Sequence, residues 1–73
     1  MFYLDIPSTG QMTKFRNPAV AWQQFHATPL ECDLYQGEEV IAEKYHVPVE
    51  GIEGDEYILE THIIEQDAEY VEL

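Results

Sequence analysis

The stretch NPAVAWQQFHATP, residues 17–29, constrains the fold more than any other part of this chain. Asn17 can cap a helix with its side-chain oxygen, and Pro18 suits the first helical position. No helix-breaking residue follows before Pro29, so the segment predicts one helix. One face of that helix is apolar and should cover a small sheet. It is formed by Ala21, Trp22 and Phe25.

Alternating apolar and polar residues on both sides of this helix predict strands. FYLDI (2–6) predicts a first strand, and LECDLY (30–35) predicts a second, with its apolar residues Leu30, Cys32 and Leu34 on one side. A turn at Gln36-Gly37 leads into EEVIAEKYHV (38–47), the return strand of a hairpin. Five of its residues are available to the core: Val40, Ile41, Ala42, Tyr45 and Val47.

The remaining segments are less regular. PSTGQMTKF (7–15) predicts a polar connector with a mobile tip, and VPVEGIEGDE (47–56) predicts a loop. EYILETHII (56–64) is rich in branched and aromatic residues, which favours a strand, although the spacing of its Leu and Ile also fits a helix. From Glu65 onward, like charge and scarce apolar surface predict disorder.

We therefore expect an α+β fold, in which a small antiparallel sheet of three to four strands is covered by one helix. This single domain should span residues 1–64, and residues 65–73 should form a flexible, disordered acidic C-terminal tail. A chain of 73 residues has little room for a buried active site.

The net charge of -12 is distributed unevenly along the chain. Residues 1–30 contain one acid and two bases, whereas residues 31–73 contain fourteen acids and one base, Lys44. A field of this sign repels nucleic acid and anionic membranes and steers a protein toward basic surfaces. We therefore expect a basic protein partner, with no direct binding of nucleic acid or membrane.

The residue patterns that support catalysis or cofactor binding are missing from the sequence. His26, His46 and His62 are too widely spaced for a zinc motif, the acids do not follow a calcium-loop pattern, and no glycine-rich phosphate loop follows a strand. Cys32 is a lone cysteine, which indicates a reducing compartment, and the first residues do not resemble a signal peptide. We expect a cytoplasmic protein, monomeric when free, that is not an enzyme and needs no metal or cofactor.

Two groups of side chains are candidates for contact with a basic partner. The first strand contributes Tyr3 and Asp5, and the hairpin contributes Glu31, Asp33, Tyr35, Glu38, Glu39 and Glu43. Alternate residues of a strand repeat at about 6.6 Å, a spacing that can follow a row of basic side chains. A solvated face that is acidic only for solubility is the alternative, but such a surface normally mixes both signs of charge.

The chain also resembles a known family. Its length, its acidic balance and the order of FYLDI, NPAVAWQQF and LECDLYQGEEVIAEKY are similar to those of the short acidic phage-encoded transcription regulators. The resemblance covers the whole chain without a diagnostic motif. It implies a partner, host bacterial RNA polymerase through its largest subunit, and two effects, inhibition of sigma-dependent initiation and antitermination.

Two other functions stay open at the level of sequence. A DNA mimic would place its carboxylates in the phosphate-binding channel of a host nuclease, restriction enzyme or CRISPR effector, which requires dense and rigid charge along a long face. An antitoxin-like accessory protein would neutralise one basic partner. Binding that survives added salt favours an anchored regulator, because mimicry of DNA depends steeply on ionic strength.

Overall fold

The computed structural model describes residues 1–49 and 56–64. These residues form one open antiparallel sheet of five strands and one helix, which confirms the α+β class. The predicted tail, residues 65–73, and most of the predicted loop, residues 47–56, lie outside the described residues. The elements are β1 (Phe2–Ile6), β2 (Gln11–Phe15), α1 (Pro18–Ala27), β3 (Cys32–Gln36), β4 (Glu39–Pro48) and β5 (Tyr57–Ile63).

The strands lie in the order β2-β1-β3-β4-β5, and each neighbouring pair is antiparallel. β1 and β2 form one hairpin, β3 and β4 form another, and the pairing of β1 with β3 joins the two. α1 connects the hairpins and packs on β1, β2 and β3. One face of this part of the sheet is therefore covered, while the opposite face is open.

The predictions for β1, the helix and the strand in residues 56–64 are confirmed, but the sheet has five strands rather than three to four. The error lies in residues 7–15, which were expected to form a connector. After a turn in which Gly10 adopts a φ of 70°, Gln11–Phe15 forms the edge strand β2. Only Phe15 packs against the core, so the sequence of this strand is too polar to show a clear alternation.

The helix begins as its sequence predicts. The Asn17 side-chain oxygen accepts a hydrogen bond from the Ala19 backbone N–H at 2.8 Å, and Pro18 occupies the first turn. Trp22 and Phe25 are fully buried and meet edge to face, with ring centroids 5.8 Å apart. No helix within residues 1–49 and 56–64 is long and apolar enough to cross a bilayer.

The two faces of the sheet differ sharply in chemistry. The face under α1 is apolar, and its buried residues are Phe2, Leu4, Cys32, Leu34 and Ala42. Because successive side chains of a strand point to opposite sides, the alternate residues lie on the face away from α1. We call this surface the outer face, and its residues on β1, β3 and β4 include Tyr3, Asp5, Asp33, Tyr35 and Glu43.

A bulge in β4 changes which of its residues reach the outer face. Leu34 pairs with Ala42 but Tyr35 pairs with Val40, so Ile41 is an extra residue, and it is buried. Val40, Tyr45 and Val47, which were expected to be available to the core, are half-buried instead. Leu30, which was predicted to share the apolar side of β3, precedes that strand and is exposed.

Lys44 is the unexpected member of the interior. Its side chain is on the helix side of β4 and is only 7% exposed. The Nζ atom donates hydrogen bonds to the carbonyl oxygens of Phe25 at 2.6 Å, His26 at 2.9 Å and Thr28 at 3.0 Å. The ammonium group thus satisfies carbonyls at the end of α1, where the helix dipole also favours a positive charge.

Candidate functional site

Three acidic side chains form a row across the outer face. Asp5 on β1 pairs with Asp33 on β3, and Asp33 pairs with Glu43 on β4. Side chains that face each other across antiparallel strands have Cβ atoms about 4.5–5.5 Å apart, so three like charges lie in close succession. We call Asp5, Asp33 and Glu43 the carboxylate row.

The position of Asp33 in the middle of this row affects its ionisation. Partial burial raises the pKa of the Asp33 carboxyl above its ordinary value of 3.8, and the charges of Glu43 and Asp5 raise it further. Like charges in directly opposed positions destabilise a sheet. The carboxylate row therefore opposes folding, which is what a surface kept for binding can do.

A pair of tyrosines lies beside the carboxylate row. Tyr3 and Tyr35 are cross-strand partners on β1 and β3, two residues along each strand from Asp5 and Asp33. Burial raises the pKa of the Tyr35 hydroxyl above its ordinary value, with further contributions from Asp33 and Asp5. Lys14 on β2 is the partner of Tyr3 on the other side, so one exposed base borders the tyrosines at the sheet edge.

The tyrosines line an open groove with a volume of about 280 Å³. Its other walls are Met12 from β2 and Gly37-Glu38 from the turn between β3 and β4. Its lining is mainly apolar, although Glu38 contributes a carboxylate. We call this site the tyrosine groove, and its residues are Tyr3, Met12, Tyr35, Gly37 and Glu38.

The structure brings together most, but not all, of the predicted binding residues. Tyr3, Asp5, Asp33, Tyr35 and Glu43 are neighbours on the outer face, and Glu38 is at the edge of the groove. The other two predicted residues are elsewhere. The Glu31 carboxylate accepts a hydrogen bond from the His46 backbone N–H at 2.8 Å. Glu39 pairs with Gln36, and both residues belong to the face of the sheet that α1 covers.

Sequence reasoning missed two features that shape this surface. The first is the contribution of Met12 and Lys14, which depended on recognising β2. The second is the position of Lys44, the one base in residues 31–73, whose burial leaves the carboxylate row without that charge. The residues next to Lys44 in the sequence give no sign that this lysine is buried. The carbonyl groups that its ammonium group contacts belong to the end of α1, far away along the chain.

A second polar cluster lies on β4 and β5. The His62 Nε2 atom is 2.7 Å from the Tyr45 hydroxyl and 2.9 Å from Oε1 of Glu60. The ring centroids of Tyr45 and His62 are 4.9 Å apart. These contacts tie together the exposed side chains of two paired strands, and no set of three metal-ligating side chains occurs within the described ranges.

Replacement of Asp33 tests the strain in the carboxylate row. Because its pKa is raised, the folded protein keeps this proton at a pH where the unfolded chain has lost it. Stability therefore falls as the pH rises from 3.8 through the folded pKa, and the penalty persists at neutral pH. We expect Asp33→Asn to raise the free energy of unfolding by about 0.5–1 kcal/mol at neutral pH, measured by urea denaturation.

The matched control is Glu39→Gln, which removes the same charge from an exposed position opposite Gln36. We expect it to change stability by only a few tenths of a kcal/mol, roughly the range of a surface substitution. If Asp33→Asn is no more stable than Glu39→Gln, the row is not strained.

The outer face can bind a cation or a basic surface. Carboxylates and tyrosine rings give it charge, hydrogen-bond acceptors and flat apolar area, which are the components of a protein interface. Comparisons with protein-family models, curated proteins and solved structures give no match for this chain.

Proposed function

We propose that this chain is a phage-type transcription regulator. It binds host bacterial RNA polymerase with its outer face, inhibits sigma-dependent initiation and acts as an antiterminator. The polymerase, and its largest subunit as the docking site, come from the resemblance described above. The geometry supports the mode of binding, which is contact between an acidic sheet face and a basic protein surface.

The observation that carries this proposal is the carboxylate row, in which no lysine or arginine of the described strands pairs with any of the three acids. Met12 pairs with Asp5 at one end, and His62 of β5 pairs with Glu43 at the other. Asp5, Asp33 and Glu43 face solvent together, while the ammonium group of Lys44 is turned to the other side of the sheet. A protein that needed charge only for solubility gains nothing from stacking like charges in direct opposition, because that arrangement costs stability. A basic partner would relieve the repulsion on binding and so convert it into affinity.

The outer face supports a regulator better than a DNA mimic. Duplex DNA presents one negative charge per about 1.7 Å of its axis. On the outer face, the carboxylate row is followed by Tyr3 and Tyr35, and Lys14 borders them. This alternation of acid and aromatic surface suits an interface that is steered by charge and anchored by apolar contact.

Binding to purified RNA polymerase tests the proposal. We expect the triple variant Asp5→Asn, Asp33→Asn, Glu43→Gln to bind the polymerase at least about tenfold more weakly at moderate salt, since each charge contributes about 0.5 kcal/mol at an interface. It should lose promoter inhibition and terminator read-through in parallel. The measurements are fluorescence anisotropy of labelled protein and transcription in vitro.

The control is a second triple variant, Glu31→Gln, Glu39→Gln, Glu56→Gln, which changes the net charge equally but leaves the carboxylate row intact, since the Glu31 carboxylate contacts His46 and Glu39 pairs with Gln36. It should bind almost as well as the original protein. Equal losses in both triple variants would mean that net charge alone drives association. Absence of polymerase binding by the original protein, or binding only to a nuclease at low salt, would reject the proposal and favour the DNA mimic.

A further inference from the structure

One wall of the tyrosine groove is the turn between β3 and β4, which a backbone hydrogen bond holds in place. Gly37 adopts a φ of 63°, a left-handed conformation that suits the first position of a two-residue hairpin turn. Its backbone N–H donates a hydrogen bond to the Met1 carbonyl oxygen at 2.9 Å, so the turn is held against the start of β1. Glu38 is thereby held beside Tyr3 and Tyr35 at the edge of the groove.

The chemistry of the groove selects its occupant. Its walls are two aromatic side chains and Met12, which is 59% exposed, while the nearby acids are Glu38, Asp5 and Asp33. Lys14 is the cross-strand partner of Tyr3 and contributes one positive charge, but the three acids outnumber it, so an anion is disfavoured. A purely apolar group would strip water from carboxylates without replacing their hydrogen bonds. The groove therefore suits a cation that has apolar surface of its own.

We propose that the tyrosine groove receives an arginine side chain of the partner protein. This inference rests on the proposed function and adds the chemistry of one contact within it. A guanidinium group is planar, stacks on aromatic faces and donates in a fork that matches a carboxylate. Its aliphatic stem can lie along Met12 while the head reaches Glu38 or Asp33.

A lysine side chain is the other cationic group that could occupy the groove, and its chemistry distinguishes it from arginine. An ammonium group has the same charge, but it is compact, strongly hydrated and has no planar face to stack on Tyr3 or Tyr35. A surface that uses charge alone would bind lysine and arginine equally. A groove that uses the tyrosine rings favours arginine by about threefold for one stacked contact.

The test compares oligoarginine and oligolysine peptides of equal length with blocked ends. We expect the protein to bind oligoarginine at least about threefold more tightly, and the Gly37 amide to show a large NMR shift with oligoarginine only. Tyr35→Phe, which keeps the ring, should preserve this preference, whereas Tyr35→Leu should abolish it. The control Tyr57→Leu, at an exposed tyrosine on β5, should not change it.

Equal affinity for the two peptides, or a preference unaffected by Tyr35→Leu, overturns the inference. The peptide comparison on the original protein decides the matter even if Tyr35→Leu does not fold. Polymerase binding is measured in parallel with the same protein. If the polymerase binds but the peptides are not distinguished, the arginine contact is wrong and the proposed function stands, whereas loss of polymerase binding rejects the function itself.

Discussion

Lys44→Met is expected to lower the free energy of unfolding by about 2–4 kcal/mol, which is most of the roughly 3–5 kcal/mol available to a domain of this size. The substitution keeps an unbranched stem but removes the donor for the carbonyl oxygens of Phe25, His26 and Thr28. Replacing a buried ion pair by apolar groups can be neutral when both partners go. Here the acceptors are backbone atoms and stay behind, so all three lose the ammonium donor, although the Phe25 carbonyl keeps the hydrogen bond from the Thr28 backbone N–H.

The matched control is Lys14→Met, which removes the same charge from an exposed position on β2. We expect it to change the free energy of unfolding by less than about 0.5 kcal/mol. Urea denaturation followed by Trp22 fluorescence measures both variants. If the two variants are equally stable, the contacts of Lys44 with the end of α1 contribute nothing, and its burial is incidental.

Lys44 also marks the limit of what the sequence could predict about the fold. The start of α1 follows from Asn17 and Pro18 because caps act within a few residues. The contact of Lys44 with Phe25 spans nineteen residues and forms only when β4 lies beside the end of the helix. A lysine in a strand is normally exposed, so no local pattern predicts a buried one.

The candidate site shows the same limit. Alternation correctly put Asp33 and Tyr35 on the side of β3 opposite Cys32 and Leu34, but only the pairing of β1 with β3 makes a row of Asp5 and Asp33. Glu39 was predicted to lie with them on the outward face of the hairpin. The extra residue in β4 reverses its side, because one inserted residue shifts the period of two along the strand.

Ionisation of one thiol is expected to lower the free energy of unfolding by about 2 kcal/mol between pH 9 and pH 11. Burial raises the pKa of Cys32 from 9.0 to about 11; the Asp33 charge raises it as well, and the Lys44 charge opposes both. The folded thiol keeps its proton in this range while the unfolded chain loses it. The unfolded state thus binds fewer protons, and stability falls as the pH rises.

Other groups titrate in the same alkaline range, so the effect of Cys32 must be obtained as a difference. Burial lowers the pKa of Lys44, so the folded state loses that proton at a lower pH than the unfolded chain, and stability increases with rising pH. Burial raises the pKa of Tyr35, so this group makes stability fall with rising pH. Urea unfolding across the range should show a smaller alkaline loss for Cys32→Ala and Cys32→Ser than for the original protein. The two variants differ in polarity and share only the absence of a thiol. An equal alkaline loss of stability in all three proteins would show that Cys32 ionises as readily in the folded protein as in the unfolded chain.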